Sequence, residues 1–289
     1  MKEYNISDRV QIIEKIRSMA NHMRQQLLTM GYSTGTMGAH FGSGLSIIEL
    51  TATLYGAIMK FDPSDPINEN RDRFILSKGH GSLGLYTGLA EAGFITEEEL
   101  KTFELNDGFL PGQPQMNLEK GIEFSSGSLG HGLSFGIGTA LYAKNMRKNY
   151  KTYVLMGDGE CNEGSVWEAA MSAAHFKLDN LIAIIDRNNL QSDGISSVIM
   201  NMDDFQNKWS NFGWQTIQIN GHKIDEIYDA LSNNFHFEKP YVIIANTVKG
   251  KGISFMENNN EWHHNRLSKE QYDAAMFEVT EQINLGQKQ

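Results

Sequence analysis

The chain has 289 residues, and 25 basic against 35 acidic side chains give it a formal charge of −10. That length hides roughly three quarters of the unfolded surface and fits one large domain or two small ones, while the acidity argues against broad binding to nucleic acid or acidic membranes. One cysteine, Cys161, excludes an internal disulfide; with no apolar leader and no run of ~18 apolar residues, the expected location is a reducing cytoplasm.

Residues 8–30 place Val10, Ile13, Ile16, Met19, Ala20, Met23, Leu27 and Met30 at three- and four-residue steps. This spacing predicts an amphipathic helix ended by Gly31. A second helix is predicted over 46–59, with Ser46 as cap and Glu49 three residues on. A polar turn, a short strand at Phe74–Leu76 and the string KGHGS follow. Helices are predicted at 82–92, after Thr96 with Glu99 as a capping box, and at 130–146. Strands are predicted at Thr152–Met156, Leu181–Ile185, Trp214–Ile219 and Tyr241–Ala245. Helices at 165–175 and Lys223–Leu231 lie between them, and a last helix covers 268–279. Apolar strands alternating with helices indicate an α/β fold with a mainly parallel sheet. The expected organisation is one domain over 1–289, with 283–289 a loose tail.

In YVLMGDGE an apolar strand stops at Gly157, and Asp158 sits between two glycines. Ligands of open α/β sheets bind past the carboxyl ends of strands. Gly157 and Gly159 allow close backbone approach, and Asp158 is a hard oxygen ligand suited to Mg²⁺. A tight turn with a surface aspartate accounts for this string equally well. The strand LIAII then ends in Asp186, and Asn188 stands thirty residues after Asp158. One crossover helix fills that gap, so adjacent parallel strands would bring both side chains to one rim. Asp158, the Asn188 amide oxygen and a backbone carbonyl near Leu190 could then share one Mg²⁺ with water and diphosphate oxygens.

GSLGHG, residues 127–132, has no Walker lysine. It reads as a backbone platform for a ring or diphosphate, or equally as a close-packed helix start. No dinucleotide fingerprint follows an early strand. His40, His80 and His263 lie in loops among small residues, where nitrogen donors suit diphosphate and sugar oxygens. His22, His175, His222 and His236 read as structural or surface residues. Zinc is disfavoured, because the histidines lack ligand spacing and Cys161 has no partner cysteine.

The strings GDGECNEGSVWEAAMSAAHFKLDNLIAIIDRNNLQSDG, DRFILSKGHGS, GSLGHGLSFGIG and KGKGISFMENNNEWH resemble the diphosphate-binding half of transketolases. The similarity runs from about residue 10 to 275. It implies a three-layer thiamine-diphosphate-binding fold with a parallel central sheet and helices on both faces. The implied cofactors are thiamine diphosphate and Mg²⁺, with Ca²⁺ or Mn²⁺ as substitutes. Asp158, Asn188 and the Leu190 carbonyl would hold the cation. Gly127, Gly157, Gly159, His80 and His263 would lie near the cofactor, and Leu129 near its rings. His40 would face the donor sugar. Glu163 would meet the family's catalytic glutamate, which belongs to the pyrimidine-binding domain. The expected partner is therefore a separate C-terminal transketolase subunit carrying that glutamate, in an α₂β₂ assembly, with no nucleic acid or membrane partner.

Three positions depart from the family pattern. Ala39 precedes His40 where glycine is usual, and His264 stands where glycine is common. Gln113 in LPGQ replaces a histidine that handles the ketol hydroxyl, and it cannot titrate near neutrality. The expected activity is two-carbon transfer from a ketose to an aldose. The alternatives are transfer of an acetyl unit from pyruvate or a related keto acid to a sugar, and a non-catalytic regulator.

Overall fold

A computed structural model describes residues 6–232 and 238–286; His236 lies outside them. The helices are α1 (Ile6–Ser33), α2 (Phe41–Leu45), α3 (Ile48–Thr53), α4 (Ser82–Glu91), α5 (Glu97–Leu100) and α6 (Gly132–Asn145). They continue with α7 (Gly164–His175), α8 (Ser196–Ile199), α9 (Phe205–Asn211), α10 (Ile224–Ser232) and α11 (Lys269–Gly286). The strands are β1 (Arg73–Leu76), β2 (Thr152–Gly157), β3 (Leu181–Arg187), β4 (Leu190–Gln191), β5 (Gly194–Ile195), β6 (Gln215–Asn220) and β7 (Tyr241–Asn246).

Five strands form one parallel sheet in the order β1-β2-β3-β7-β6. Its central strands are apolar on both faces, as parallel strands covered on both sides must be. Tyr153, Leu155, Ile182, Ile184 and Ile243 pack with α1, α4, α10 and α11 on one face. Val154, Met156, Ala183, Ile185 and Ile244 pack with α6, α7 and α9 on the other. This is the α/β fold with a parallel sheet that the strand pattern predicts, in the three layers that the family resemblance implies. The strand order reverses between β3 and β7. Carboxyl strand ends at such a reversal open a crevice, which is where ligands bind in this architecture.

Local signals hold at some positions and yield to packing at others. Thr96 and Glu99 form the capping box, each side chain bonding the other's backbone N–H. Gly31 does not end α1, which runs on to Ser33. A Cβ there would enter the Phe41 ring, so the glycine serves helix packing. Ser46 caps no helix start. The predicted 46–59 helix is α3 and a π-turn over Leu54–Ile58, capped by Ile47 without a side-chain bond. Ser46 instead donates to Asp186, 2.7 Å away. Glu49 is buried against Arg24 and His222. α11 extends through 283–286, and residues 287–289 lie outside the described part. The β4–β5 hairpin, α8 and α9 were not foreseen. Among the described residues no helix is long and apolar enough to cross a membrane.

Candidate active site

The register sets Gly157 of β2 beside Asp186 of β3, and Asp186 beside Ala245 of β7. A cleft of about 350 Å³ opens past these strand ends. His40, His80, Gln113, Gly127, Leu129, Gly157, Asp158, Gly159, Glu163, Asn188, Leu190 and His263 all line it. Residues spread over more than two hundred positions thus meet at one rim.

The first group is acidic. Asp158 is buried. Its Oδ1 accepts from Gly159 N at 2.9 Å, and its Oδ2 from Asn189 N at 2.9 Å and Ser196 Oγ at 3.0 Å. Burial, then the Asp186 charge, push its carboxyl up to about 6 against the pull of those bonds. Asn188 donates from Nδ2 to Asp186 at 2.9 Å, and its Oδ1 accepts from Leu190 N at 3.1 Å. Asn189 has φ 61°, a left-handed conformation that asparagine tolerates. This kink turns the chain from β3 into the hairpin, bringing Leu190 back to the cleft.

The second group is basic. Lys78 is buried and paired with Asp186, and its Nζ also donates to the Ser43 carbonyl at 3.1 Å. Lys249, equally buried after β7, meets His263 Nδ1 at 2.9 Å and the Leu190 carbonyl at 3.4 Å. Burial, then the Lys78 charge, bring it down to about 8. Three imidazoles cluster beside these lysines: His40 lies 5.8 Å from His80 and 5.5 Å from His263, centroid to centroid, and His80 lies 5.4 Å from His263. Burial foremost, and neighbouring positive charge next, lower His40 to about 3 and His263 to about 4. His80 is pushed down in the same way. All three are neutral at pH 7 and able to donate or accept one hydrogen bond per nitrogen. His264 stacks edge-on against His40 at 4.5 Å. The strand-like bridge between Ala39 and Asn265 holds the two loops together.

Three further positions shape the walls. Glu160 is buried and accepts from Ser77, from Gly130 N at 2.8 Å and from Gly157 N at 3.1 Å. Glu163 is exposed at the rim. A Cβ on Gly159 would stand 2.7 Å from Gln191 Cγ, so a side chain there would have to displace Gln191 from the cleft.

The sequence and the fold match known proteins. The family described as "Transketolase, thiamine diphosphate binding domain" matches residues 16–280. The chain belongs to the transketolase family. It is 40% identical over 278 residues to one subunit of the apulose-4-phosphate transketolase of Phocaeicola vulgatus, covering 96% of this chain and 98% of that one. It is 40% identical over 266 residues to the 6-deoxy-6-sulfo-D-fructose transketolase subunit SqwG of Clostridium sp., covering 91% and 96%. Human transketolase is 36% identical across 100% of this chain, which spans 45% of it. The fold superposes on Campylobacter jejuni transketolase with a TM-score of 0.83 and 28% identity, covering 96% of this chain and 43% of that one. The chain thus resembles the N-terminal, cofactor-binding subunits of transketolases built from two chains.

Transketolases use thiamine diphosphate, and the residues here fit it. Asp158, Asn188 and the Leu190 carbonyl offer hard oxygens of the kind Mg²⁺ takes. Lys78 and Lys249 offer buried ammonium groups for a diphosphate. Among the described residues, Gln113 Oε1, Asn162 Oδ1 and Gln191 Nε2 are buried and find no hydrogen-bond partner, and all three residues line the cleft. Sequence reading missed Lys78, Lys249, Asp186 and Glu160. The lysines stand within KGHGS and KGKG, so the signal was two lysines in glycine-rich loops at predicted strand ends.

Proposed function

We propose that this chain is the cofactor-binding subunit of a two-chain transketolase that moves a two-carbon ketol unit from a ketose donor to an aldose acceptor. The observation that carries it is the meeting of Asp158, Asn188 and Leu190 at one rim beside Lys249 and His263. In this reading Asp158, Asn188 and the Leu190 carbonyl hold Mg²⁺, for which Ca²⁺ or Mn²⁺ can substitute. Lys78, Lys249, His80 and His263 face the diphosphate, with Gly157 and Gly159 clearing the floor. Gly127 and Leu129 support the rings. Bound thiamine diphosphate supplies a carbon nucleophile that accepts the ketol unit and stores its electron pair. His40 and His263, both neutral, hydrogen-bond donor oxygens and orient them. Glu163 reaches the glutamate of the partner subunit, in an α₂β₂ assembly with two such interfaces. The relatives named for apulose 4-phosphate and a sulfofructose each act on a sugar with an anionic end. A substrate of that kind, in a specialised carbohydrate pathway, is the reading we adopt.

Gln113 decides between a ketol and an acetyl unit. Its buried Oε1 has no hydrogen-bond partner among the described residues, and an unmet buried acceptor costs about 1–3 kcal/mol. Turned into the cleft that Gln113 lines, this oxygen would accept from a donor hydroxyl, whereas the methyl group of an acetyl unit would leave it unmet. The test is reconstitution of the purified chain with its partner subunit, thiamine diphosphate, Mg²⁺ and a panel of ketose and keto-acid donors. Turnover is expected only with both chains and on hydroxyketones, and Gln113→His should improve hydroxyketone use further. Full-rate turnover by this chain alone, or preference for pyruvate, would overturn the proposal.

A further inference from the structure

Asp186 is fully buried at the end of β3. It draws donors from four separate segments. Lys78 Nζ, Ser46 Oγ at 2.7 Å and Asn188 Nδ2 at 2.9 Å reach Oδ2, and Thr247 Oγ1 reaches Oδ1. Of these donors only Asn188 belongs to the proposed cation set, while Lys78 belongs to the proposed diphosphate set. An asparagine amide presents an oxygen at one end and two N–H donors at the other. Metal ligation needs the oxygen, so the amide must be told which way to point.

We infer that Asp186 is a positioning residue: its carboxylate fixes the Asn188 amide with Nδ2 inward and Oδ1 toward the cation, and so preforms the metal site. A carboxylate accepts and does not donate. Turning the amide over would set Oδ1 against Asp186 and Nδ2 against the Leu190 N–H, two mismatches at once. Asparagine at 186 would weaken this discrimination, because a neutral amide oxygen holds Lys78 and Asn188 Nδ2 less firmly than a carboxylate and can exchange places with its own N–H group. Serine and threonine hydroxyls at 46 and 247, with the Lys78 ammonium, pin the carboxylate so that it cannot swing away. Partners that orient a metal ligand from behind typically contribute 10–100-fold in metal affinity.

This inference rests on the proposed cation site, and the experiment separates the two. The complex of this chain with its partner subunit, loaded with thiamine diphosphate, is titrated with Mn²⁺, and free Mn²⁺ is followed by its electron paramagnetic resonance signal. Asp186→Asn should raise the half-saturating Mn²⁺ concentration about 10–100-fold while still filling the sites at excess metal. A role confined to folding would instead lower the number of sites and leave half-saturation unmoved. Asp158→Ala should abolish the bound fraction. Loss in Asp158→Ala with wild-type half-saturation in Asp186→Asn overturns the positioning role and leaves the cation site standing. Wild-type binding in Asp158→Ala removes the cation site and the inference with it. If Asp186→Asn is insoluble, Ser46→Ala and Thr247→Val each take one donor from the same carboxylate. Each should raise half-saturation about threefold, a lesser share of the same loss, and no change in either refutes the role.

Discussion

His40 should make the cofactor-free chain lose stability as pH falls, by an amount its surroundings set. Its imidazole is held down to about 3, by burial first and then by His264, His263, Lys249 and Lys78. In the unfolded chain it titrates near 6.5. Between these values the unfolded state carries a proton that the native state refuses, so acid favours unfolding. The stability at stake is whole above about pH 7.5 and is lost as pH falls through 6.5. Integrated from pH 7 to 5, one such group contributes about 2 kcal/mol. Partial exposure of the ring reduces this to about 1–2 kcal/mol. A chain of this length unfolds with roughly 0.6 kcal/mol per degree of entropy, so Tm moves by about 2–3 °C. Scanning calorimetry of the wild type and His40→Gln at steps from pH 7.5 to 5 reads this directly. The wild-type Tm should fall about 2–3 °C further than that of the variant. Asp158 works in the opposite direction, since its raised value adds stability as pH falls through 6, but it is common to both proteins and cancels. Parallel Tm curves would refute the claim that the fold holds His40 neutral.

Lys249, brought down to about 8, should regain its proton when an anion binds beside it. Calorimetry of thiamine diphosphate binding to the two-subunit complex at pH 8, in two buffers of different ionisation enthalpy, should show uptake of about half a proton per site. Lys249→Met should abolish that uptake, and equal uptake in the variant would contradict the assignment. Gly132→Ala should destabilise the chain by about 1–3 kcal/mol through overpacking, because its Cβ would stand 2.8 Å from Ser77 Cα. Urea denaturation checks this, and a change under about half a kcal/mol would show that the start of α6 yields more readily than the packing implies.

The parallel sheet was legible because its strands are buried on both faces. A continuous apolar run such as YVLM or LIAII has one stable place, the middle of a covered sheet. The meeting of Asp158 and Asn188 at one rim was legible for the same reason, since one crossover helix separates the two strand ends. Ser46 and Gly31 misled because their local signals compete with tertiary demands. Ser46 has the chemistry of a helix cap, but a buried carboxylate accepts its hydroxyl hydrogen bond. Gly31 resembles a stop, but the Phe41 ring needs its space. The Asp186 hub was illegible in principle. Its donors come from positions 46, 78, 188 and 247, and no periodicity joins them.

The perturbed groups divide the cleft into two electrostatic halves, and the division bears on what it can hold. The imidazoles and Lys249 are pushed down, each by burial and by neighbouring positive charge. Asp158 is pushed up, by burial and by the negative charge of Asp186. A lone anion would relieve the first half and meet repulsion from Asp158 and Asp186. A lone divalent cation would relieve Asp158 and meet repulsion from Lys249 beside the Leu190 carbonyl. A diphosphate carrying its own cation relieves both, with each partner screening the other's opponent. Linkage then requires that cation and diphosphate each raise the other's affinity. Under the proposed function the two lysines would do more than take up phosphate charge: by opposing a bare metal ion, they would make its retention depend on the cofactor.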